Sequence, residues 1–117
     1  IYKNRHDKFN IYSYQVKKNY EKWIRYECPA KLDTEIELDM MNTAKKIYEA
    51  LNCKDFARID FRLSEDGVIY FIEINPLPGL APGYSDYPII AEFNGMDYDS
   101  LVRRILISAL KRHSLKF

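Results

Sequence analysis

The stretch ARIDFRLSEDGVIYFIEINPLPG, residues 57–79, holds the pattern that decides the fold. Residues 57–63 alternate apolar and polar side chains, and residues 68–74 are rich in β-branched and aromatic side chains, which favour strands. The turn-forming sequence Ser-Glu-Asp-Gly separates them at 64–67, and Gly67 at its end can adopt a positive φ. The stretch therefore predicts an antiparallel β-hairpin, which the prolines that follow bring to an end.

The register of this hairpin decides which side chains share a face. Leu63 and Val68 are taken as the pair that flanks the turn, which places Asp60 opposite Phe71. Asp60 and Glu73 then become diagonal neighbours about 7–8 Å apart. That register divides the second strand into two faces: Tyr70, Ile72 and Ile74 on one, and Ile69, Phe71, Glu73 and Asn75 on the other. Four polar side chains project together from one face of the hairpin, which we call the polar face: Arg58, Asp60, Glu73 and Asn75.

The polar face has two interpretations. Two carboxylates and an amide oxygen suit a hard divalent cation such as Mg²⁺, whose other ligands are usually phosphate and water. Arg58 beside them can bind a phosphate with its planar guanidinium. The alternative is an ordinary solvated face, on which Arg58 and the opposite Glu73 form a cross-strand ion pair. Asn75 favours the metal site, because an amide that closes an apolar strand has no evident packing role.

Composition narrows the class of protein. The 117 residues, 47% hydrophobic and 30% charged, are enough for one globular domain with a modest core. A net charge of +1 indicates neither a nucleic-acid nor a membrane partner, and no apolar run approaches the roughly 20 residues of a membrane span. Cys28 and Cys53 are too few for a disulfide framework, so we predict free thiols and a cytoplasmic location. The chain begins at Ile1 within charged sequence, which leads us to expect a piece of a longer protein.

The segment 1–31 is basic and aromatic. Its eight basic residues are Lys3, Arg5, Lys8, Lys17, Lys18, Lys22, Arg25 and Lys31, against three acidic residues, Asp7, Glu21 and Glu27. Aromatic rings among basic residues can bind single-stranded nucleic acid, but no nucleic-acid-binding motif accompanies them. The favoured interpretation is a polar loop whose rings pack on the core.

Three helices are predicted in the rest of the chain. A long helix begins at Thr34, which has capping-box spacing to Glu37. Its apolar stripe, expected to pack on the apolar face of the first strand, consists of Ile36, Met40, Ala44, Ile47 and Leu51. A short helix follows at 88–94, and Asp97 or Asp99 caps the last one.

Two motifs on the hairpin resemble a known family. The sequence R-x-D-F at 58–61 and E-x-N-x-x-P-G at 73–79 is similar to the carboxyl end of the ATP-grasp fold, and more narrowly to D-alanine–D-alanine ligases. The similarity runs from about residue 11 to residue 112. It includes CPA at 28–30 and G-x-x-Y-x-x-L-x-x-x-I-L at 95–106.

The resemblance implies a fold and an activity. It implies an α+β carboxyl-terminal ATP-grasp subdomain at 32–117, an antiparallel sheet packed with helices, with 1–31 as the end of the preceding subdomain. Amino-terminal domains of the same chain would complete the enzyme, for which a homodimer is one possible assembly, and this chain alone is expected not to turn over. The implied partners are ATP and amino acids, with no nucleic acid and no membrane. The implied reaction forms an acyl phosphate that an amino-acid amine attacks, in synthesis of a peptidoglycan precursor or a related dipeptide.

The resemblance also implies roles for single residues. A Mg²⁺ or Mn²⁺ ion would be held by three residues of the polar face, Asp60, Glu73 and Asn75. Arg58 would bind the transferring phosphate, and the backbone N–H of Gly79 would stabilise an oxyanion. Ser85 matches a serine that binds the carboxylate of the second amino acid, although it is equally a candidate helix N-cap. Lys17 matches a lysine on the loop that closes over the phosphates.

Two departures from the family pattern stand near these residues. Lys18 replaces the usual tyrosine after the loop lysine, and Pro76 replaces the usual threonine before the P-G pair. The loop from Gly79 to Ser85 also carries one residue more than usual. A non-catalytic binding or assembly module of ATP-grasp ancestry, with a different substrate or none, is therefore the alternative to a ligase.

Overall fold

A computed structural model describes residues 26–116 of the chain. The chain divides into two compact units, residues 1–31 and residues 32–117. Of the first unit, the structure describes residues 26–31. The second unit contains the helices and strands of the described residues.

A β-hairpin and three helices make up the second unit. Helix α1, Thr34–Ala50, precedes strands β1, Arg58–Leu63, and β2, Ile69–Asn75, which pair antiparallel. Helices α2, Asp86–Phe93, and α3, Tyr98–Arg112, follow the hairpin. The predicted α+β class, with an antiparallel hairpin and helices on both sides of it in sequence, is confirmed.

The turn of the hairpin is tighter than the sequence indicated. The backbone N–H of Ser64 donates to the carbonyl of Val68 over 2.9 Å, and the Ser64 Oγ accepts the Val68 N–H over 2.9 Å. The loop between them ends at Gly67, which lies at φ +86°. A left-handed residue that closes a three-residue loop is a common hairpin geometry. It moves the register by one residue, so Leu63 pairs with Ile69.

A β-bulge in β2 shifts the register by a second residue. Phe61 lies opposite Phe71, but Asp60, its neighbour on β1, lies opposite Glu73, which leaves Ile72 as the extra residue. The predicted pairing of Asp60 with Phe71 is wrong, and so is the assignment of Phe71 to the face of Glu73. The Phe61 and Phe71 rings instead pack edge to face, with centroids 6.3 Å apart. Because a bulge re-aims the side chains that follow it, Glu73 still projects from the predicted polar face.

Helix α1 lies beside the hairpin. The predicted capping box at Thr34 is wrong, since the N-cap is Asp33, whose carbonyl oxygen accepts the N–H of Glu37 over 2.9 Å. The predicted apolar stripe is half-buried at four positions: Ile36, Met40, Ala44 and Ile47. Leu51 is 58% exposed. Ala44 of the stripe and Ile59 of β1 line one shallow cavity of about 230 Å³, and a Cβ at Gly67 would lie 3.5 Å from Cδ1 of Ile36.

Both ends of helix α3 are held by hydrogen bonds. At its start, Oδ1 of Asp97 accepts the backbone N–H of Ser100 over 2.8 Å, and this bond lowers the pKa of Asp97. Near its end, Arg112 donates through Nε and Nη2 to the two carboxylate oxygens of Asp55 over 3.3 and 2.7 Å. Ser108 donates its hydroxyl to Asp55 over 3.0 Å. We name these last three residues the Asp55 cluster.

Several apolar side chains lie on the described surface. Tyr70 and Ile72 of β2 are 55% and 57% exposed. Within residues 26–116, none of the helices combines the length and the apolar character needed to cross a bilayer. Cys28 and Cys53 are half-buried and form no disulfide, as predicted.

Candidate functional site

The polar face of the hairpin brings its four side chains together. Asp60 lies directly opposite Glu73, and Arg58 lies opposite Asn75. Opposite residues of an antiparallel pair share a face, with Cβ atoms about 4.5–5.5 Å apart. Asp60 and Glu73 are therefore direct cross-strand partners and not the predicted diagonal neighbours, and Arg58 pairs in register with Asn75 instead of Glu73.

The guanidinium of Arg58 is the centre of this face. Its Nε and Nη2 donate to the two carboxylate oxygens of Asp60 over 2.9 and 3.0 Å. Nη2 lies 3.7 Å from Oε1 of Glu73, and Nη1 lies 3.5 Å from Oδ2 of Asp86. The Arg58 side chain is 25% exposed and that of Glu73 is 56% exposed, so the arginine is sheltered while one carboxylate reaches solvent. A two-point bond to a carboxylate fixes the plane of a guanidinium.

Three residues of the polar face offer the donor set of a hard cation. The carboxylates of Asp60 and Glu73 and the amide oxygen of Asn75 are ligands of the kind that Mg²⁺ prefers. The Nδ2 of Asn75 donates to Oε1 of Glu73 over 3.4 Å, so the amide group is oriented by its nitrogen. Within residues 26–116, no three His, Cys, Asp or Glu side chains are arranged as a metal site. A cation bound to two carboxylates and one amide oxygen would need phosphate or water for its remaining ligands.

The loop after β2 folds Ser85 back on Gly79. The Oγ of Ser85 accepts the backbone N–H of Ala81 over 3.0 Å. A Cβ at Gly79 would lie 2.8 Å from that Oγ, so a larger residue there would have to displace the Ser85 hydroxyl. Ser85 occupies the N-cap position of α2, as the alternative interpretation predicted, but its side chain makes no capping hydrogen bond. The hydroxyl is directed into the loop beside Gly79.

Asp86 belongs to the site although the sequence did not predict it. It is the first residue of α2, and its carboxylate reaches Arg58. An acidic residue in the first turn of a helix is ordinarily explained by the helix dipole, so its residue type alone gave no reason to place it in the site. The contact depends on the path of the preceding loop, which no local sequence pattern reveals.

Tyr87, the next residue, anchors the start of α2. Its ring packs against Phe56, with centroids 5.4 Å apart and planes at 70°. Burial raises the pKa of the Tyr87 hydroxyl, and the nearby Tyr48 raises it further. The helix that carries Asp86 is thus fixed against the segment that leads into β1.

The predicted site residues fall into two groups. The first consists of the four side chains of the polar face, and the second consists of Gly79 and Ser85 in the loop. The Arg58–Asp86 contact joins the first group to the helix that begins directly after the second. Lys17, the remaining predicted site residue, lies outside the described residues.

Known proteins match the chain over most of its length. The family model described as "D-ala D-ala ligase C-terminus" matches residues 2–107. D-alanine–D-alanine ligase of Dechloromonas aromatica (strain RCB) is 39% identical over 95 residues, which are 81% of this chain and 31% of the relative. The ligase of Proteus mirabilis (strain HI4320) is 37% identical over 103 residues, 88% of this chain and 28% of the relative. The ligase of Rickettsia bellii (strain RML369-C) is 39% identical over 104 residues, 87% of this chain and 32% of the relative.

The α+β fold and the matched family define the carboxyl-terminal domain of an ATP-grasp protein. The chain spans about a third of the length of the curated relatives it matches. The chain belongs to the D-ala D-ala ligase C-terminus family, which confirms the resemblance drawn from the hairpin motifs.

Proposed function

We propose that this chain is the carboxyl-terminal part of an ATP-dependent carboxylate–amine ligase. Residues 32–117 are its catalytic subdomain and residues 1–31 are the end of the preceding one. Amino-terminal domains complete the site, and the product is a dipeptide for a peptidoglycan precursor or a related dipeptide. The single observation that supports this most is the polar face, on which one guanidinium is held by carboxylates beside an amide.

The proposed reaction has two steps. A carboxylate oxygen of the first amino acid attacks the γ-phosphorus of ATP, the bond to ADP breaks, and an acyl phosphate forms. The amine nitrogen of the second amino acid then attacks the acyl carbon, phosphate leaves with the electron pair of the C–O bond, and the nitrogen loses a proton. Negative charge develops first on phosphoryl oxygens and then on a tetrahedral oxygen. The site must therefore supply positive charge and N–H donors at those atoms.

Arg58 supplies positive charge from the polar face. Asp60 binds its Nε–Nη2 edge, and Asp86 lies at Nη1. A guanidinium held in this way is pre-oriented, so that little rotational freedom is lost when a phosphate binds. We assign Arg58 to the transferring phosphate.

Asp60, Glu73 and Asn75 hold Mg²⁺ or Mn²⁺ in this proposal. When bound, a divalent cation lowers the charge on phosphoryl oxygens. The four charged side chains of the site, Arg58, Asp60, Glu73 and Asp86, formally carry one positive and three negative charges. This excess of two negative charges is matched by one divalent cation, which makes the cluster suited to such an ion.

The loop residues serve the second step. The backbone N–H of Gly79 stabilises the tetrahedral oxyanion, and a preorganised donor of this kind lowers a barrier by about 3 kcal/mol. Ser85 binds the carboxylate of the second amino acid at the start of α2, where the backbone N–H groups of a helix favour an anion. Lys17 binds phosphate, a role that follows from the resemblance alone.

The test is a cation titration of the full-length protein that carries Glu73→Gln. With ATP and D-alanine, we expect activity to fall at least about 100-fold and the apparent affinity for Mg²⁺ or Mn²⁺ to weaken about tenfold or more. The urea midpoint of unfolding stays unchanged, because Glu73 is mostly exposed. The matched control is Glu92→Gln, which removes an exposed carboxylate from α2.

Two results would contradict the proposal. Unchanged activity and cation affinity in Glu73→Gln would favour the non-catalytic module. Release of ADP above background by residues 1–117 alone, with ATP and D-alanine, would contradict the requirement for amino-terminal domains.

A further inference from the structure

Asp86 links the two groups of proposed site residues. Its carboxylate lies 3.5 Å from Nη1 of Arg58, and it directly follows Ser85 in the chain. We propose that Asp86 is a positioning residue that holds the guanidinium of Arg58 in place for the transferring phosphate. The inference rests on the proposed function of Arg58.

The geometry gives Asp86 a task that Asp60 does not perform. Asp60 lies two residues from Arg58 on the same strand and binds its Nε–Nη2 edge. Asp86 lies on a different element, α2, and approaches Nη1. Carboxylates at two edges restrict both the plane and the position of a guanidinium. The side chains of Arg58 and Asp86 are 25% and 22% exposed, so solvent screens this pair less than a pair on the open surface.

The same contact couples the phosphate end of the site to its acceptor end. The loop that carries Gly79 and Ser85 leads directly into Asp86. The position of Arg58 therefore depends on the position of that loop. Groups that act on one reacting centre have to be held to about 0.5 Å, and a displacement of about 1 Å can cost 100-fold in rate. A link between the two groups therefore bears on the rate of reaction more than on substrate binding.

A purely structural role is the competing explanation. An acidic residue in the first turn of a helix stabilises the helix dipole, and Asp99 occupies the corresponding region of α3. Asp99→Asn is therefore the matched control, since it removes the same charge from a helix start that does not carry the site.

The test measures kcat and KM in the full-length ligase with ATP and D-alanine. We expect Asp86→Asn to lower kcat about tenfold while the KM values for ATP and the acceptor change less than about twofold. Asp86→Glu restores part of the rate. In an Arg58→Lys background, Asp86→Asn has less than about a twofold further effect, because a residue that acts through Arg58 is not additive with it. Asp99→Asn leaves kcat unchanged in both backgrounds.

Three outcomes would overturn the inference. The first is an unchanged kcat in Asp86→Asn, and the second is a raised acceptor KM with normal kcat. The third is a loss of kcat on Asp86→Asn that is equally large with and without the Arg58→Lys substitution.

Two further measurements keep the test decisive. Where Arg58→Lys is too slow to assay, a crystal structure of Asp86→Asn decides, since an unmoved guanidinium would overturn the inference as well. Asp86→Ser repeats the series if Asp86→Asn does not fold. Full activity of Arg58→Lys would instead contradict the proposed function, which separates the two failures.

Discussion

Two arginine–carboxylate clusters in this domain look alike and differ in their balance of charge. In the Asp55 cluster, Arg112 binds one carboxylate at two points, and Ser108 adds a third hydrogen bond. On the polar face, Arg58 binds Asp60 at two points and lies near Glu73, and it also approaches Asp86 at the start of α2. The charges of Arg112 and Asp55 cancel, whereas the carboxylates around Arg58 leave an excess of negative charge that suits an added cation.

The two clusters also differ in the length of chain that they connect. Arg112 and Asp55 are 57 residues apart in sequence, so their bond joins the end of α3 to the segment before β1. Arg58 and Asp60 are two residues apart on one strand, so their bond adds little to the tertiary fold. A long-range bond offsets the loss of chain entropy on folding, while a local bond orients a side chain. The Asp55 cluster therefore ties distant parts of the chain together, whereas the Arg58–Asp60 bond orients one side chain of the proposed site.

The largest expected effect separates the two arginines. Under the proposed function, Arg58→Ala is expected to lower the activity of the full-length protein about 1000-fold, because it removes the charge that we assign to the transferring phosphate. Arg112→Ala is expected to change activity less than about threefold and to lower the urea midpoint of unfolding. Steady-state kinetics and urea denaturation of both variants measure the contrast. Equal losses of activity in Arg58→Ala and Arg112→Ala would contradict the different roles assigned to the two clusters.

Two glycines extend the same contrast to the loops. Gly79→Ala is expected to lower kcat about 100-fold, since its Cβ would displace the Ser85 hydroxyl, which lies 2.8 Å from that point. Gly95→Ala meets no atom within 4 Å but sits at φ +79°, so it should destabilise the fold by about 1–2 kcal/mol and leave kcat unchanged. Kinetics and unfolding curves on both variants provide the comparison. A Gly79→Ala enzyme with normal kcat would remove the loop from the site.

A smaller effect concerns the carboxylates. Asp55→Asn is expected to lower the urea midpoint, because the Asn side chain cannot accept the two charge-assisted bonds from Arg112. Asp60→Asn is expected to leave that midpoint nearly unchanged while it lowers activity. A lower midpoint in Asp60→Asn and not in Asp55→Asn would reverse the roles assigned to the two clusters.

The smallest expected effect is the pH dependence of the difference in urea midpoint between the unmodified protein and Asp55→Asn. The hydrogen bond from Arg112 holds the pKa of Asp55 below its ordinary value of 3.8, so the folded state binds fewer protons than the unfolded state in this range. The stabilisation from Asp55 is therefore complete above about pH 3.8 and is lost as the pH falls through the lower folded value. Urea midpoints of the protein and of Asp55→Asn should differ by a constant amount between about pH 5 and 7 and converge in stronger acid. A difference that grows in acid would contradict the assigned cause.

The sequence could predict the elements of this fold better than their fine register. Alternation and turn composition were sufficient for the hairpin, and the apolar stripe that begins at Ile36 was sufficient to predict helix α1. The bulge at Ile72 could not be predicted, because Ile is an ordinary strand residue and nothing in the local sequence marks the extra position.

The clustering of the candidate site residues was predictable where they lie on one hairpin. The members of the polar face follow from alternation within two adjacent strands. The Arg58–Asp86 contact spans a loop whose path depends on tertiary structure, and an acid after Ser85 looks like a dipole residue in the sequence. The same limit explains why Asp33 replaced Thr34 as the N-cap, since Asp, Thr and Ser are all acceptable there.

The bulge at Ile72 separates the site from the tip of its own hairpin. Phe61 and Phe71 fix the pairing on the turn side of it, and the orientation of Glu73 and Asn75 is set on the other side. Changes in loop length near the hairpin tip can thus be absorbed without rotating the acidic end of β2. Insertions between Phe71 and Glu73 cannot be absorbed in this way, because they would rotate the acidic end of β2. We therefore expect relatives to vary in length at the hairpin tip and not at the bulge.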